Sequence, residues 1–179
     1  MKKLLLVGLI ALSSTTFAAE TAPQTSTANN PFAKAEQLYK DKNYNAAYQE
    51  MDRLAKTGNA QAIYNQGFMS ELGQGTAQDS KKALAAYQEA SNKGYPVATY
   101  RLAQIYMAGE LGVTKDEKKG REYLEKASNA GLDEATVELA VLLFAENKDA
   151  SNKLALQKLQ PLINKNNYRA IHLKAIYDI

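Results

Sequence analysis

The chain has 179 residues, with 22 Lys and Arg against 19 Asp and Glu, a single histidine and no cysteine. The absence of cysteine excludes disulfide bonds, thiolate metal sites and cysteine nucleophiles, and one histidine excludes sites that need two imidazoles. A hydrophobic content of 45% is typical of a water-soluble globular protein.

The first 18 residues have the organisation of a secretory signal peptide. Lys2 and Lys3 form a short basic start, residues 4–12 are apolar, and small residues lead to Ala18. The apolar run is shorter than the roughly 20 residues of a membrane span, so we expect cleavage after Ala18 rather than anchoring. The expected location is the bacterial periplasm, with further secretion left open.

Residues 19–30 follow as a predicted flexible tether. This segment carries the Pro, Ser, Thr and Gln that are typical of a flexible tether, and it has no large apolar residue. Loss of Lys2 and Lys3 leaves 20 basic against 19 acidic residues, which gives no reason to expect nucleic acid as a partner. An ordered domain is predicted over 31–179.

An internal repeat of 35 to 37 residues organises that domain. Gly58, Gly94, Gly131 and Asn166 each precede an alanine by four positions. Gly and Asn tolerate the left-handed conformation that ends a helix, so this column predicts helix ends. The predicted units cover about 31–58, 59–94, 95–131, 132–166 and a terminal half-unit at 167–179.

A second set of columns predicts where helices begin and which side they bury. The predicted N-caps are Asn43, Asp79, Asp116 and Ser151. Steps of four, four and three residues from these caps reach positions that lie on one face of a helix. In the four units, the first position is Ala47, Ala83, Gly120 and Ala155. The second is Met51, Tyr87, Leu124 and Leu159, and the third is Leu54, Ala90, Ala127 and Leu162. The partner helices carry a small-residue column of Gly67, Ala103, Ala140 and Ala175. These patterns predict an all-α superhelical solenoid of stacked antiparallel helix pairs.

Residues 60 to 131 resemble the Sel-one-like repeat (SLR) family, which is related to the tetratricopeptide repeat. Some ten positions agree in two successive units, the first being Ala62-x4-Gly67-x5-Gly73-x-Gly75-x3-Asp79-x2-Lys82-Ala83-x3-Tyr87-x2-Ala90-x3-Gly94. The resemblance implies a tetratricopeptide-like scaffold that binds a protein segment. The chain departs from the family where Ser70 replaces a tyrosine and Gly120 an alanine, the latter at a predicted cost of about 1 kcal/mol.

Residues that carry chemistry do not form a catalytic set in this sequence. The loop 73–76 lacks the Gly-Lys-Ser/Thr of a phosphate loop, and His172 has no nucleophile partner. Glutamates spaced three or four apart, such as Glu134 and Glu138, are typical of a solvated helix face. We therefore expect no enzyme activity, no cofactor and no metal site.

Two surfaces remain as candidates for binding a partner. By analogy with related repeats, the inner face of the solenoid is predicted to contain Tyr64, Phe68, Tyr100, Gln104, Met107, Val137 and Val141. The lysine ridge is predicted to contain Lys81, Lys82, Lys118, Lys119 and Lys153. The alternative interpretations are that the inner-face aromatics are packing residues and that the lysines form a solvated edge.

The sequence favours a protein- or peptide-binding adaptor in the bacterial cell envelope. The alternative is a binder of peptidoglycan or another anionic envelope polymer through the lysine ridge. A small glycan-cleaving enzyme is a remote third interpretation. The terminal half-unit has one apolar face without a following helix, so it also predicts a homodimer.

Overall fold

The computed structural model of the protein describes residues 30–177, so the predicted signal peptide and the tether up to residue 29 lie outside the described residues. The described part of the chain is all helical, without a strand. Its helices are α1 (Ala33–Lys40), α2 (Tyr44–Ala55), α3 (Ala60–Leu72), α4 (Ser80–Asn92), α5 (Pro96–Ala108), α6 (Glu117–Asn129), α7 (Asp133–Ala145), α8 (Asp149–Asn164) and α9 (Tyr168–Tyr177).

The helices pack chiefly against their neighbours in the chain, from α1 against α2 through to α8 against α9. Helix α9 also contacts α7. The odd-numbered helices are the first members of each pair and the even-numbered helices are the second members. This arrangement confirms the predicted α/α solenoid, in which each unit buries its apolar surface against the next.

The predicted helix ends are confirmed by the backbone. Gly58, Gly94 and Gly131 have φ angles of 83°, 85° and 87°, and Asn166 has a φ of 59°. All four residues follow a second helix by two or three positions. A residue without a Cβ adopts this left-handed conformation at no steric cost, which explains why three of the four are glycine.

Two of the predicted N-caps bond as expected. Asp79 Oδ1 accepts a hydrogen bond from the Lys82 backbone N–H at 2.9 Å, and Asp116 Oδ1 accepts one from Lys119 at the same distance. Asn43 occupies the N-cap position of α2, but its side chain makes no capping bond. The periodic pattern therefore located these three helix starts.

The prediction for Ser151 as an N-cap is wrong. Helix α8 begins two residues earlier, at Asp149, with Lys148 as its N-cap. The turn between α7 and α8 is only three residues long, whereas seven or eight residues precede α4 and α6. Ser151 therefore lies in the first turn, where its hydroxyl donates to Glu146 Oε2 at 2.5 Å.

The predicted buried faces of the second helices form the core. Met51, Tyr87, Leu124 and Leu159 are fully buried, and each side chain of this size stabilises the fold by about 1.5–3 kcal/mol. The small-residue column is buried at Gly67, Ala103 and Ala140, but Ala175 is exposed because no described helix follows α9.

The predicted cost of Gly120 leaves out a close contact with α5. A Cβ at this position would lie 2.3 Å from Met107 Cγ and 3.0 Å from the Ala103 carbonyl oxygen. Glycine therefore allows α6 to approach α5 at a distance that alanine would prevent. We therefore expect packing to outweigh the local helix propensity of alanine at this position.

Candidate partner-binding surfaces

The inner-face residues occupy equivalent sides of α3, α5 and α7, but they do not share one environment. Tyr64 is packed between the rings of Tyr87 and Tyr95, with centroid distances of 5.3 and 5.4 Å. Burial, and next the neighbouring Tyr95, raise the pKa of Tyr64 to about 12. Phe68 is half-buried against the same cluster. Tyr64 and Phe68 thus help to hold α3, α4 and α5 together.

Tyr100 connects two of the inner helices through its hydroxyl. The hydroxyl donates to Glu138 Oε2 at 2.5 Å, which joins α5 to α7. Burial and the Glu138 carboxylate both raise the pKa of Tyr100, while a hydrogen bond from Gln104 opposes them. Glu138 is therefore a structural acceptor rather than part of a carboxylate pair.

Val137 and Val141 are the inner-face residues that line a groove. The groove has a volume of about 190 Å³ and lies between α7 and α9, where Tyr168, Arg169, His172 and Leu173 complete its walls. Val141 is 42% exposed and Tyr168 is 78% exposed. His172, the single histidine, is an exposed wall residue of this groove.

Met107 is directed towards α6 rather than towards a shared surface. Its Cγ is the atom nearest to where a Gly120 side chain would begin, and it packs against the core cluster of α5 to α9. The structure therefore brings Tyr100 and Gln104 together beside α7, and Val137 and Val141 together beside α9. It does not bring all seven predicted residues into one surface.

A charged cluster between α3 and α5 was missed at the sequence level. Glu71 accepts hydrogen bonds from Arg101 at 2.5 Å and from the Tyr87 hydroxyl at 2.6 Å. Arg101 also pairs with Glu110 at 2.9 Å. The repeat columns could not reveal this cluster, because the position equivalent to Arg101 in the preceding unit is Asn65, which is uncharged.

The lysine ridge divides into two groups. Lys81, Lys118 and Lys153 are exposed and take part in no ion pair within residues 30–177. Lys82 and Lys119 instead lie over aromatic rings, with their Nζ atoms 5.1 Å from the Tyr48 centroid and 4.1 Å from the Tyr106 centroid. Only the first group is fully available to an anionic partner.

The loop 73–76 has a structural role. Gln74 Oε1 accepts a hydrogen bond from the Tyr39 hydroxyl at 2.6 Å. Gly75 has a φ of 73°, and a Cβ at this position would lie 2.1 Å from the Tyr44 carbonyl oxygen. The loop therefore docks against the first helix pair, as expected for a connection within the repeat.

None of the helices within residues 30–177 is both long and apolar enough to cross a membrane.

The family model of the Sel1 repeat matches the chain twice, at residues 60–95 and 96–132. A Sel1 repeat protein from Oxalobacter formigenes is 24% identical over 79% of this chain and 55% of its own, with a TM-score of 0.63. The protein c5321, a protective antigen present in uropathogenic Escherichia coli strains and displaying an SLR fold, is 23% identical over 78% of this chain and 31% of its own, with a TM-score of 0.66.

The chain thus spans 55% and 31% of the lengths of these two proteins, and the likeness concerns the fold. No curated protein matches the chain. Sel1 repeat proteins generally mediate protein–protein interaction and are usually non-catalytic scaffolds. The chain therefore contains two Sel1 repeats, at residues 60–95 and 96–132, within an all-α solenoid of the kind found in Sel1 repeat proteins.

Proposed function

We propose that the protein is an exported adaptor that binds another protein or peptide in the periplasm, without catalysing a reaction. The observation that carries this proposal is the groove between α7 and α9. Its walls combine exposed apolar groups, Val141 and the ring of Tyr168, with the guanidinium of Arg169. Exposed aromatic and arginine side chains beside an apolar groove are typical of protein-binding surfaces.

The chemistry of this groove indicates the segment that it binds. Arg169 takes part in no ion pair among residues 30–177, so its charge is available to a partner carboxylate. Val137 and Val141 provide apolar contact next to it. A segment with an apolar side chain close to an acidic one fits both features.

Photocrosslinking in the native host tests this function. A photoreactive amino acid at Val141 is expected to give one discrete protein adduct. Leu154 on α8 is the matched control because its exposure, 41%, is close to the 42% of Val141. Equal labelling from both positions would contradict the proposal. So would saturable turnover of an envelope substrate that one side-chain change abolishes.

The second candidate function is binding of peptidoglycan or another anionic envelope polymer. The exposed, unpaired state of Lys81, Lys118 and Lys153 among the described residues favours it. Co-sedimentation with isolated cell wall should then weaken steeply with salt. The triple change of these lysines to Gln should abolish it. Changing Lys40, Lys93 and Lys165 to Gln is the charge-matched control, and equal effects of the two triple variants would exclude the ridge.

A further inference from the structure

A second groove lies on the other side of α3, between α2 and α4. Its volume is about 330 Å³, which is at the lower end of the ~300–1,000 Å³ range of ligand pockets. Ile63 and Ser70 of α3 form its floor and Ala86 lies on the α4 side. Helical periodicity places Ser70 on a different side of α3 from Tyr64 and Phe68. This groove is therefore separate from the inner face.

In the following repeat, side chains fill the equivalent location. Ser70 and Ala86 correspond to Tyr106 and Tyr123, at spacings of 36 and 37 residues. The rings of Tyr106 and Tyr123 stack with a centroid distance of 5.5 Å and an interplanar angle of 11°. At this location, one unit therefore has two aromatic rings, whereas the preceding unit has two small side chains and an open groove.

Both units have a lysine side chain at this location. Lys119 Nζ lies 4.1 Å from the Tyr106 ring centroid. Its equivalent, Lys82, lines the open groove, with Nζ 5.1 Å from the Tyr48 centroid. A positive charge in the lining of the groove favours an aromatic ring, whose face carries partial negative charge. The groove is also lined by Glu89 and by Asp52, whose carboxylate pairs with Lys56 of the same lining at 2.5 Å. Two lysines thus balance two carboxylates, which favours an uncharged ligand.

Ser70 supplies a polar group at the bottom of the groove. The residue is fully buried, and its Oγ has no hydrogen-bond partner among the described residues. By contrast, the buried Ser91 Oγ is within 2.7 Å of Thr99 Oγ1. A buried hydroxyl without a partner costs free energy that a ligand hydroxyl would recover.

We propose that this groove binds the side chain of a tyrosine from a partner polypeptide, with the phenol hydroxyl bonded to Ser70 Oγ and the ring packed against Ile63 and Ala86. The bound ring thus occupies the location that corresponds to the Tyr106–Tyr123 stack of the next repeat. Because the groove and the inner face lie on different sides of α3, this inference does not depend on the α7–α9 groove.

Titration of the ¹⁵N-labelled protein with N-acetyl-L-tyrosinamide tests the proposal, with N-acetyl-L-phenylalaninamide as the comparison ligand. We expect saturable shifts of the Ser70 and Ala86 amide signals. Tyrosinamide should bind about fivefold more tightly than phenylalaninamide, which is the effect of one hydrogen bond. Ser70→Ala should reduce this ratio to about one.

Two variants that fill the groove complete the test. Ser70→Tyr reproduces the next repeat and should abolish the shifts, and Ala86→Leu narrows the groove from α4 if the first variant does not fold. Lys118→Gln, outside the groove, should bind as the native chain does. Three outcomes would overturn the proposal. The first is that the backbone amide signals of Ser70 and Ala86 do not shift, and the second is that these shifts persist in a folded groove-filling variant. The third is that Ser70→Ala keeps the fivefold preference for tyrosinamide.

Discussion

Arg101 Nη2 lies 2.5 Å from Glu71 Oε1, so a charged pair 30 residues apart in the chain joins α3 to α5. Both side chains are only about one-fifth exposed, at 20% and 19%. Glu71 also accepts the hydroxyl of the fully buried Tyr87, which raises the pKa of that tyrosine together with burial, the larger cause. One carboxylate thus connects three helices at the centre of the matched repeats.

Glu71→Ala should destabilise the protein by about 2 kcal/mol, because it leaves both Arg101 and the Tyr87 hydroxyl without this acceptor. Urea unfolding followed by circular dichroism measures the change. Lys56→Ala is the control, since it removes the Lys56–Asp52 ion pair, in which Lys56 is 76% exposed. Because an exposed ion pair contributes little to stability, Lys56→Ala should not change the unfolding midpoint measurably. Equal midpoints for the two variants would contradict a structural role of Glu71.

Gly120→Ala should destabilise the protein by about 1–3 kcal/mol, although alanine favours a helix more than glycine does. The added Cβ would meet Met107 Cγ at 2.3 Å. Thermal unfolding measures this loss. In a Met107→Ala background the same change should cost less, because that obstacle is gone. A gain in stability from Gly120→Ala alone would show that α5 and α6 separate without cost.

The stability of the protein should fall as the pH rises from 10 to about 12. Tyr64 keeps its proton in the folded state up to a pKa of about 12, while its ordinary value is 10. Its contribution is therefore complete below pH 10 and is lost as the pH approaches 12. Tyr64→Phe should make the decline of the unfolding free energy in this window less steep. An equally steep decline in the Tyr64→Phe variant would contradict this role of Tyr64.

Helix α9 should mediate homodimerisation through its exposed apolar residues. Ile171 and Ile176 are both exposed. Sedimentation equilibrium should show a mass that rises with concentration towards twice that of the monomer. Ile176→Glu should keep the protein monomeric. Leu72→Glu is the matched control because Leu72 and Ile176 have nearly equal exposure, 48% and 49%. A monomer mass at all concentrations would contradict the dimer.

The proposed export predicts a defined N-terminus for the mature protein. Intact mass of protein recovered from the periplasm of the native host should correspond to a chain that begins at Ala19. Ala18→Gln places a larger side chain at the cleavage site and should leave the precursor unprocessed. Recovery of the native chain with Met1 still attached would contradict cleavage.

The amino-acid sequence by itself determined the repeat and its helix boundaries to within a few residues. Gly58, Gly94 and Asp79 identify helix ends through backbone preferences that act within one or two turns. The side of each second helix that is buried follows from its 3.6-residue period, as Met51 and Leu124 show. These signals act within a single helix, so they can be recognised without knowing which helices pack against each other.

Only the tertiary structure decided the environment of each predicted site residue. The sequence placed Tyr64 and Val141 on the same side of two first helices, yet Tyr64 lies inside an aromatic cluster and Val141 borders an open groove with α9. The close contact between Gly120 and Met107 and the Glu71–Arg101 pair also depend on the approach of helices from different parts of the chain. Close packing between helices fixes these distances, and helix periodicity within a segment carries no information about them.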